Sequence, residues 1–434
     1  MKKITLIALV IVLVFTVCVM VTGYYLATST ADRLAQKRQA IIDAGDPVHL
    51  SDLQQAPVPD EDNGIEKFEI VIPDLEKFSK RHDELINRHG DTFGPRYKLN
   101  ADRWDEGDAI LAEFPDLFNQ LEAAASCTKF VSTEPTNQDP LSFDYFQNAT
   151  HLRSATKALT IKALSAARSG NADEALSACE IALKLQAIGR SRPMLLTFLV
   201  QIANEAIIFE TVNHILRTSR PSDQALESFR QSLADNDHEA FFQEAAKGER
   251  AFGLSVFSQI QEGDGDVSEL DYSIPFSGTW FGQAYLNDDM AMYLDLMDAK
   301  ISNISEPYAT QAARFEQLLA TLKQSRFRFI LSKLLIPSFQ ETHNAFTRVQ
   351  AQQRALQILC EQPDAVLNPT IGPETPTQLD PYLDSTSMCI RQSPEGLFVY
   401  SVGENLVDDK GQITPDLDSK HALDEGYGPL LERN

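Results

Sequence analysis

Cysteine is scarce in this chain, with five in 434 residues, and the five are scattered. Cys18 sits in an apolar run, and Cys127, Cys179, Cys360 and Cys389 stand far apart. No spacing matches a metal knuckle or a CxxC redox pair, and so long a body is not a disulfide scaffold. Four buried thiols are expected, with one disulfide as the alternative. Basic residues are also short, at 38 Lys and Arg against 62 Asp and Glu, giving a formal charge of −24. That balance disfavours nucleic acid and anionic lipid as partners. No G-x-S-x-G elbow, Walker loop, dinucleotide fingerprint or H-E-x-x-H zinc motif occurs. The reading is therefore of a binding protein without a cofactor, and a hydrolase with dispersed residues is the enzymatic alternative.

What is present is led by the first 26 residues. Lys2 and Lys3 precede an apolar run from Ile4 to Val21 that continues through Gly23, Tyr24 and Tyr25 to Leu26, with no charge before Asp32. At 1.5 Å per residue the run spans a hydrocarbon core of about 30 Å. Basic flanks stay cytoplasmic and aromatic rings settle at the interface, so the rest of the chain is expected outside the cytoplasmic membrane, in the periplasm. A cleaved signal peptide is the rival, with Ser29-Thr30-Ala31 as a cleavage site. Lipoprotein processing at Cys18 is disfavoured by the bulky Val17. A pilin-type start, suggested by Ile4-Thr5-Leu6-Ile7, lacks both the preceding glycine and a glutamate where Ala8 stands.

The remainder has the composition of a globular chain, with 43% hydrophobic and 23% charged residues. It divides into an anchor (1–30), a juxtamembrane helix and linker (31–72), a helical body (73–360) and a proline-rich acidic tail (361–434). The polar helix from Ala31 to Ala44 stops at Gly45-Asp46-Pro47, and Phe68 to Ile72 reads as a short strand. Beyond Pro73 apolar residues recur at three- and four-residue steps, as at Leu75, Phe78, His82, Leu85 and Ile86. The clearest unit runs from Leu159 to Leu185, where Gly170-Asn171 separates two helices carrying Ala163, Ala166, Ala175 and Ala182. This resembles a tetratricopeptide helical hairpin, without its closing proline and without a clean 34-residue repeat. Further helices are expected at roughly 194–217, 222–234, 238–261, 288–304, 307–335 and 338–360. Pro337 separates the last two. The fold expected is mainly α: an N-terminal transmembrane helix and an irregular bundle or short α-solenoid with a tetratricopeptide-like hairpin, closed by a tail with a small β element.

Residues 361–434 hold 14 acidic residues against 4 basic ones, and prolines exclude a long helix there. The tail contains Asp380-Pro381-Tyr382, then Leu397-Phe398-Val399-Tyr400-Ser401-Val402-Gly403, then Asp408-Asp409-Lys410-Gly411. It resembles the ending of a set of uncharacterised membrane-anchored helical proteins of planctomycetes and related bacteria, whose chains close on a DP…YSVG…DDGG pattern. A similar ending closes the pseudopilins of type II secretion, and that resemblance implies calcium at Asp408 and Asp409. Lys410 and Gln412 depart from the pattern. Calcium takes six to eight oxygens, so the reading of the residues is a metal-free β element held by Phe398 and Tyr400.

Other candidate clusters are weaker. Asp264, Asp266 and Ser268 open like an EF-hand loop, but Glu269 and Pro275 occupy the positions of its glycine and final glutamate. Glu210 with His214, and His82 with His89, share helix faces that could hold a metal. Lys323, Arg326, Arg328 and Lys333 surround Phe327 and Phe329, as a polar face over a core stripe does. The functional expectation is an extracytoplasmic tethered protein that contacts other proteins, as a scaffold or envelope-complex subunit. A pseudopilin-related secretion or filament component is the alternative.

Overall fold

The computed structural model of the chain describes residues 2–90, 93–133, 147–262, 279–306, 308–324, 328–335, 338–368, 370, 372, 374, 378–383, 385–413 and 423–429. Helices dominate, and among these residues one three-stranded sheet lies near the C-terminus. Residues 263–278, with the EF-hand-like acids and Phe276, lie outside the described residues, as do Arg326, Phe327 and Pro337.

The first helix, α1 (Lys2–Asp43), runs unbroken through both the apolar run and the polar segment expected after it. Its 42 residues make a rod about 63 Å long. It ends where Gly45 takes up a left-handed φ of 74°, a conformation that glycine adopts without a Cβ clash. Residues 46–63 do not form a loose linker, because Val48 and Leu50 are buried against the body.

Residues 68–72 are helical, which corrects the strand expected there. They belong to α2 (Gly64–His89), whose N-terminus is capped by the Asn63 side chain. The β-branched run around Pro73 suggests a strand locally. Ile65, Phe68, Val71, Leu75, Phe78, His82 and Leu85 are nonetheless all buried, at steps of three, four and seven that fit one helix face. Burial of that face overrides local propensity. Next come α3 (Ala101–Glu113) and α4 (Leu117–Ala125), separated at Pro115.

The expected hairpin is present as α5 (Gln147–Arg168) and α6 (Ala172–Leu185). Gly170, at φ 82°, makes the turn. Ala163, Ala166, Ala175, Ala178 and Ala182 are all buried. Side chains this small let two helix backbones approach closely.

The hairpin packs on α7 (Leu195–Thr218), the central helix of the body. By length and apolarity α7 could also cross a membrane, yet 61% of its most apolar stretch is buried inside the body, against 6% for α1. It also buries Asn204, Glu205 and Asn213, which suits a protein core where partners are at hand and not a lipid environment. Around it stand α8 (Asp223–Asp235), α9 (His238–Glu262), α10 (Trp280–Ser302), α11 (Tyr308–Gln324), α12 (Ile330–Leu335), α13 (Ser338–Glu361) and the short α14 (Pro363–Leu367).

The tail forms β1 (Cys389–Ser393), β2 (Gly396–Ser401) and β3 (Glu425–Tyr427), antiparallel in the order β1-β2-β3. Every residue of β2 is buried, so both faces of the strand are covered. Leu397 and Val399 join the main core with Tyr427. Phe398 lies instead under the Arg391 guanidinium, and the Tyr400 hydroxyl donates to Asp408. The element is thus docked through Leu397 and Val399, which corrects the expectation that Phe398 and Tyr400 hold it. Strand side chains alternate between faces, and the core takes the odd-numbered set. The Arg217 guanidinium also donates to the Leu397 carbonyl, Asn213 donates to the Gly428 carbonyl at 2.8 Å, and Arg348 pairs with Glu425 at 2.7 Å.

Candidate functional site

The feature most able to serve a function is the junction where α1 leaves the body. Every large apolar side chain from Ile7 to Leu26 is between 37% and 69% exposed. A continuous apolar surface of this length is far larger than a water-soluble monomer tolerates. From Gly23 onward the same helix turns one stripe inward. Gly23, Ala27, Leu34 and Ile41 are buried, at steps of four and seven that form a seam against α10.

Polar contacts lock the seam. Arg33 reaches Asp295 at 3.0 Å and Asp288 at 3.5 Å, Lys37 also pairs with Asp295, and Arg38 lies 3.4 Å from the Ser258 hydroxyl. Burial lowers the Arg38 pKa from its ordinary value. Past the end of α1, Asp46 binds Lys247 at 2.7 Å and the buried Arg250 at 2.8 Å, and Arg250 reaches on to Asp298 at 2.7 Å. Burial alone would raise the Asp46 carboxyl, but hydrogen bonds and charge from Lys247 and Arg250 bring it below its usual range.

The level at which α1 meets the body is aromatic. Tyr24 packs edge-on against Trp280 with ring centroids 5.7 Å apart, and Phe281 lies so close to Gly23 that a Cβ there would meet its ring at 2.9 Å. Tyr24, Tyr25, Trp280 and Phe281 all remain exposed. Beside them a cleft of about 490 Å³ opens between α1, α9 and α10. Trp280 and Phe281 fall between the helices expected at 238–261 and 288–304. The sequence does not show that they begin α10 beside the paired tyrosines, since no local signal links positions 24 and 280.

The residue pairs that the sequence placed on shared helix faces are separated. His89 bonds Glu106 at 3.1 Å, whereas His82 is buried between Phe78 and Phe93. Glu210 is tied to Arg96 at 2.5 Å. His82 and Glu210, from different helices, instead line one cleft. Arg328 pairs with Asp288 at 2.5 Å and Phe329 is buried. All five cysteines are free, and burial pushes the Cys360 thiol up to about 12.

A second polar cluster is sealed inside the body. His238 Nε2 lies 2.5 Å from Glu205 Oε2 and its Nδ1 lies 2.9 Å from Gln353 Oε1. Gln201 and Asn236 donate to Glu205 Oε1 at 2.7 and 2.8 Å. Burial would raise the Glu205 carboxyl, but His238, with Asn236 and Gln201, holds it below its ordinary value. The two side chains are at most 1% exposed, so a substrate has no access to them and their role is to join α7, α9 and α13.

The motif-bearing pieces of the tail form one knot. Asp380 accepts from the Ser401 hydroxyl at 2.6 Å and the Val402 amide at 3.1 Å. Asp424 accepts from the amides of Asp409, Gly411 and Gln412 at 3.2, 2.8 and 3.0 Å. A carboxylate therefore closes the turn. Asp408 accepts from Tyr400 at 3.0 Å and Asp409 from Asn405 at 2.7 Å. Among the described residues no group of three or more His, Cys, Asp or Glu is arranged to hold a metal ion. Calorimetric titration of the full chain with calcium is expected to give no binding tighter than about 1 mM. A micromolar site lost in Asp408→Ala would contradict this.

Neither a protein-family model nor any curated protein or solved structure matches the chain.

Proposed function

We propose that this chain is a single-pass membrane protein whose helical body rests on the outer surface of the cytoplasmic membrane and acts by contacting other proteins, as a scaffold or envelope-complex subunit. The observation that carries the reading is the division of α1 into a half exposed on all sides and a half locked to α10. The apolar stretch that contains the exposed half, Ile4 to Leu26, has the length of a hydrocarbon span at about 35 Å. Tyr24, Tyr25 and Trp280 collect where it ends, and amphipathic rings favour the headgroup level. The ion pairs of Arg33 and Lys37 and the Arg38 contact with Ser258 follow at once, so the body would sit directly on the membrane without a flexible stalk. Lys2 and Lys3 favour a cytoplasmic N-terminus. The proposal also suits the membrane-anchored helical proteins whose ending the tail resembles.

The experiment uses the protein's two tryptophans. With Trp104→Phe, the full chain in vesicles retains only Trp280, whose fluorescence should be strongly quenched by lipids brominated near the headgroup. Reporter fusions after Thr30 and after Asn434 should both behave as exported. An unquenched Trp280 would remove the seating on the membrane. A cytoplasmic reporter, or soluble protein beginning near Asp32, would remove the anchored topology.

A further inference from the structure

The cleft beside the aromatic junction lies at a defined height on the first helix. Its α1 wall is made by Tyr24, Ala27, Thr28 and Ala31, a span of about 10 Å along the axis. Positions at this spacing share one helix face. The apolar run ends at Leu26, and a headgroup layer extends about 5–8 Å beyond each side of the hydrocarbon core. On the membrane seating proposed above, on which this inference rests, the cleft therefore opens at headgroup depth. The same face of α1 continues into the apolar run through Leu13, Val17 and Met20, all more than half exposed. An apolar track for a lipid tail thus leads to the cleft.

The other walls decide which headgroup fits. Facing α1 stand Gln261, Trp280, Gln283, Leu286 and Asn287, and among the described residues none that lines the cleft is charged. The nearby guanidinium of Arg33 is committed to Asp288 and Asp295. A phosphate in the cleft would meet no cation, and taking an unpaired charge out of water is costly. The formal charge of −24 on the chain adds to that cost. Side-chain amides both donate and accept, which matches hydroxyl groups. Gln261 donates to Asn287 Oδ1 at 2.9 Å and keeps its own oxygen as an acceptor. Gln283 makes no side-chain hydrogen bond among the described residues. Both glutamines are exposed, so a headgroup can reach them. The Tyr24 and Trp280 rings, 74° apart, add apolar surface at the mouth.

We infer that this cleft holds one membrane lipid with an uncharged, hydroxyl-bearing headgroup, of the glycosyl-diacylglycerol kind. Its hydroxyls bond to Gln261 and Gln283, and a tail lies along Leu13, Val17 and Met20. A phospholipid in the same place would leave its phosphate unpaired.

The test is native mass spectrometry of the full chain, released from detergent after incubation with three lipids in equal amounts. These are monoglucosyl-diacylglycerol, phosphatidylcholine and phosphatidylglycerol, all with two oleoyl chains. One glucosyl lipid per chain should be retained, at least ~10-fold over either phospholipid. The Thr28 hydroxyl bonds only carbonyls of its own helix, so Thr28→Phe fills the cleft without removing a contact to the body. It should cut retention at least ~10-fold. Gln283→Leu, at an exposed position, should cut the preference for the glucosyl lipid, and it gives a result even if Thr28→Phe does not fold. Both variants, in the Trp104→Phe background, should keep the quenching of Trp280 by headgroup-brominated lipids. Quenched Trp280 with no retained lipid, with equal retention of the three lipids, or with retention unchanged in the variants would overturn this inference and leave the seating standing. An unquenched Trp280 in Trp104→Phe alone would overturn the seating and this inference with it.

Discussion

Replacing His238 by leucine should destabilise the body by about 3–5 kcal/mol, the cost of leaving a buried charge without its partner. The hydrogen-bond pattern explains the size of the effect. Gln353 donates its amide to the carbonyls of Leu233 and Asn236, so its Oε1 must accept, and His238 Nδ1 must carry a proton. Glu205 accepts from Gln201 and Asn236 through Oε1, and its Oε2 takes His238 Nε2 at 2.5 Å. Leucine would remove the hydrogen-bond partner of Glu205 Oε2 and orphan Gln353 Oε1 in one step. The measurement is a set of urea unfolding curves for wild type, His238→Leu, Glu205→Leu and the double variant. The double variant should lose much less stability than the sum of the two single losses, since it carries no unpaired charge. Strict additivity would show that the pair contributes nothing as a pair.

Acid should weaken the body specifically through His343. This residue of α13 is 2% exposed, stacks on Tyr308 with ring centroids 5.6 Å apart, and has no partner for Nε2. Burial, with a smaller contribution from the Lys300 charge, pushes its pKa down to about 3. In the unfolded chain it titrates near the ordinary histidine value of 6.5. Between those values the unfolded state binds the extra proton and the native state does not. The His343 contribution is therefore undiminished above about pH 6.5 and is lost progressively as pH falls towards about 3. At about pH 4.5 the loss is of order 2–3 kcal/mol. Carboxylates also titrate there, so the informative quantity is the difference from His343→Phe. That variant should lose about 2–3 kcal/mol less than wild type between about pH 7.5 and pH 4.5. Parallel stability profiles would mean that His343 is not the group being protonated.

Much of the architecture was legible because it rests on periodicity. The apolar run at the N-terminus, the alanine-rich hairpin around Gly170, the long helices ending near Arg217 and Cys360, and a strand at Phe398 each carry their signal within a few turns of chain. The strand expected at Phe68 failed because β-branched residues before a proline read as extended, whereas burial of the Ile65 to Leu85 stripe needs a helix. The candidate sites were less legible. His82 was weighed against His89, and Glu210 against His214, because only residues on one helix can be compared by spacing. Their real neighbours, Phe78, Phe93 and Lys157 for the first and Arg96 for the second, include ones distant in sequence.

Sequence by itself determined the helical class, the length and apolarity of the first helix, the close-packed hairpin and the acidic, strand-bearing tail, since each follows from local composition and the 3.6- or 2-residue repeat of the backbone. Tertiary structure alone decided that α1 is locked to α10 through Arg33 and Lys37, that Trp280 meets Tyr24, that Leu397 and Val399 dock the tail, and that His82 and Glu210 share a cleft. Those outcomes depend on pairings between residues far apart in the chain. Such pairings are fixed by which apolar faces bury one another and which buried charges find partners, and neither leaves a periodic mark in the sequence.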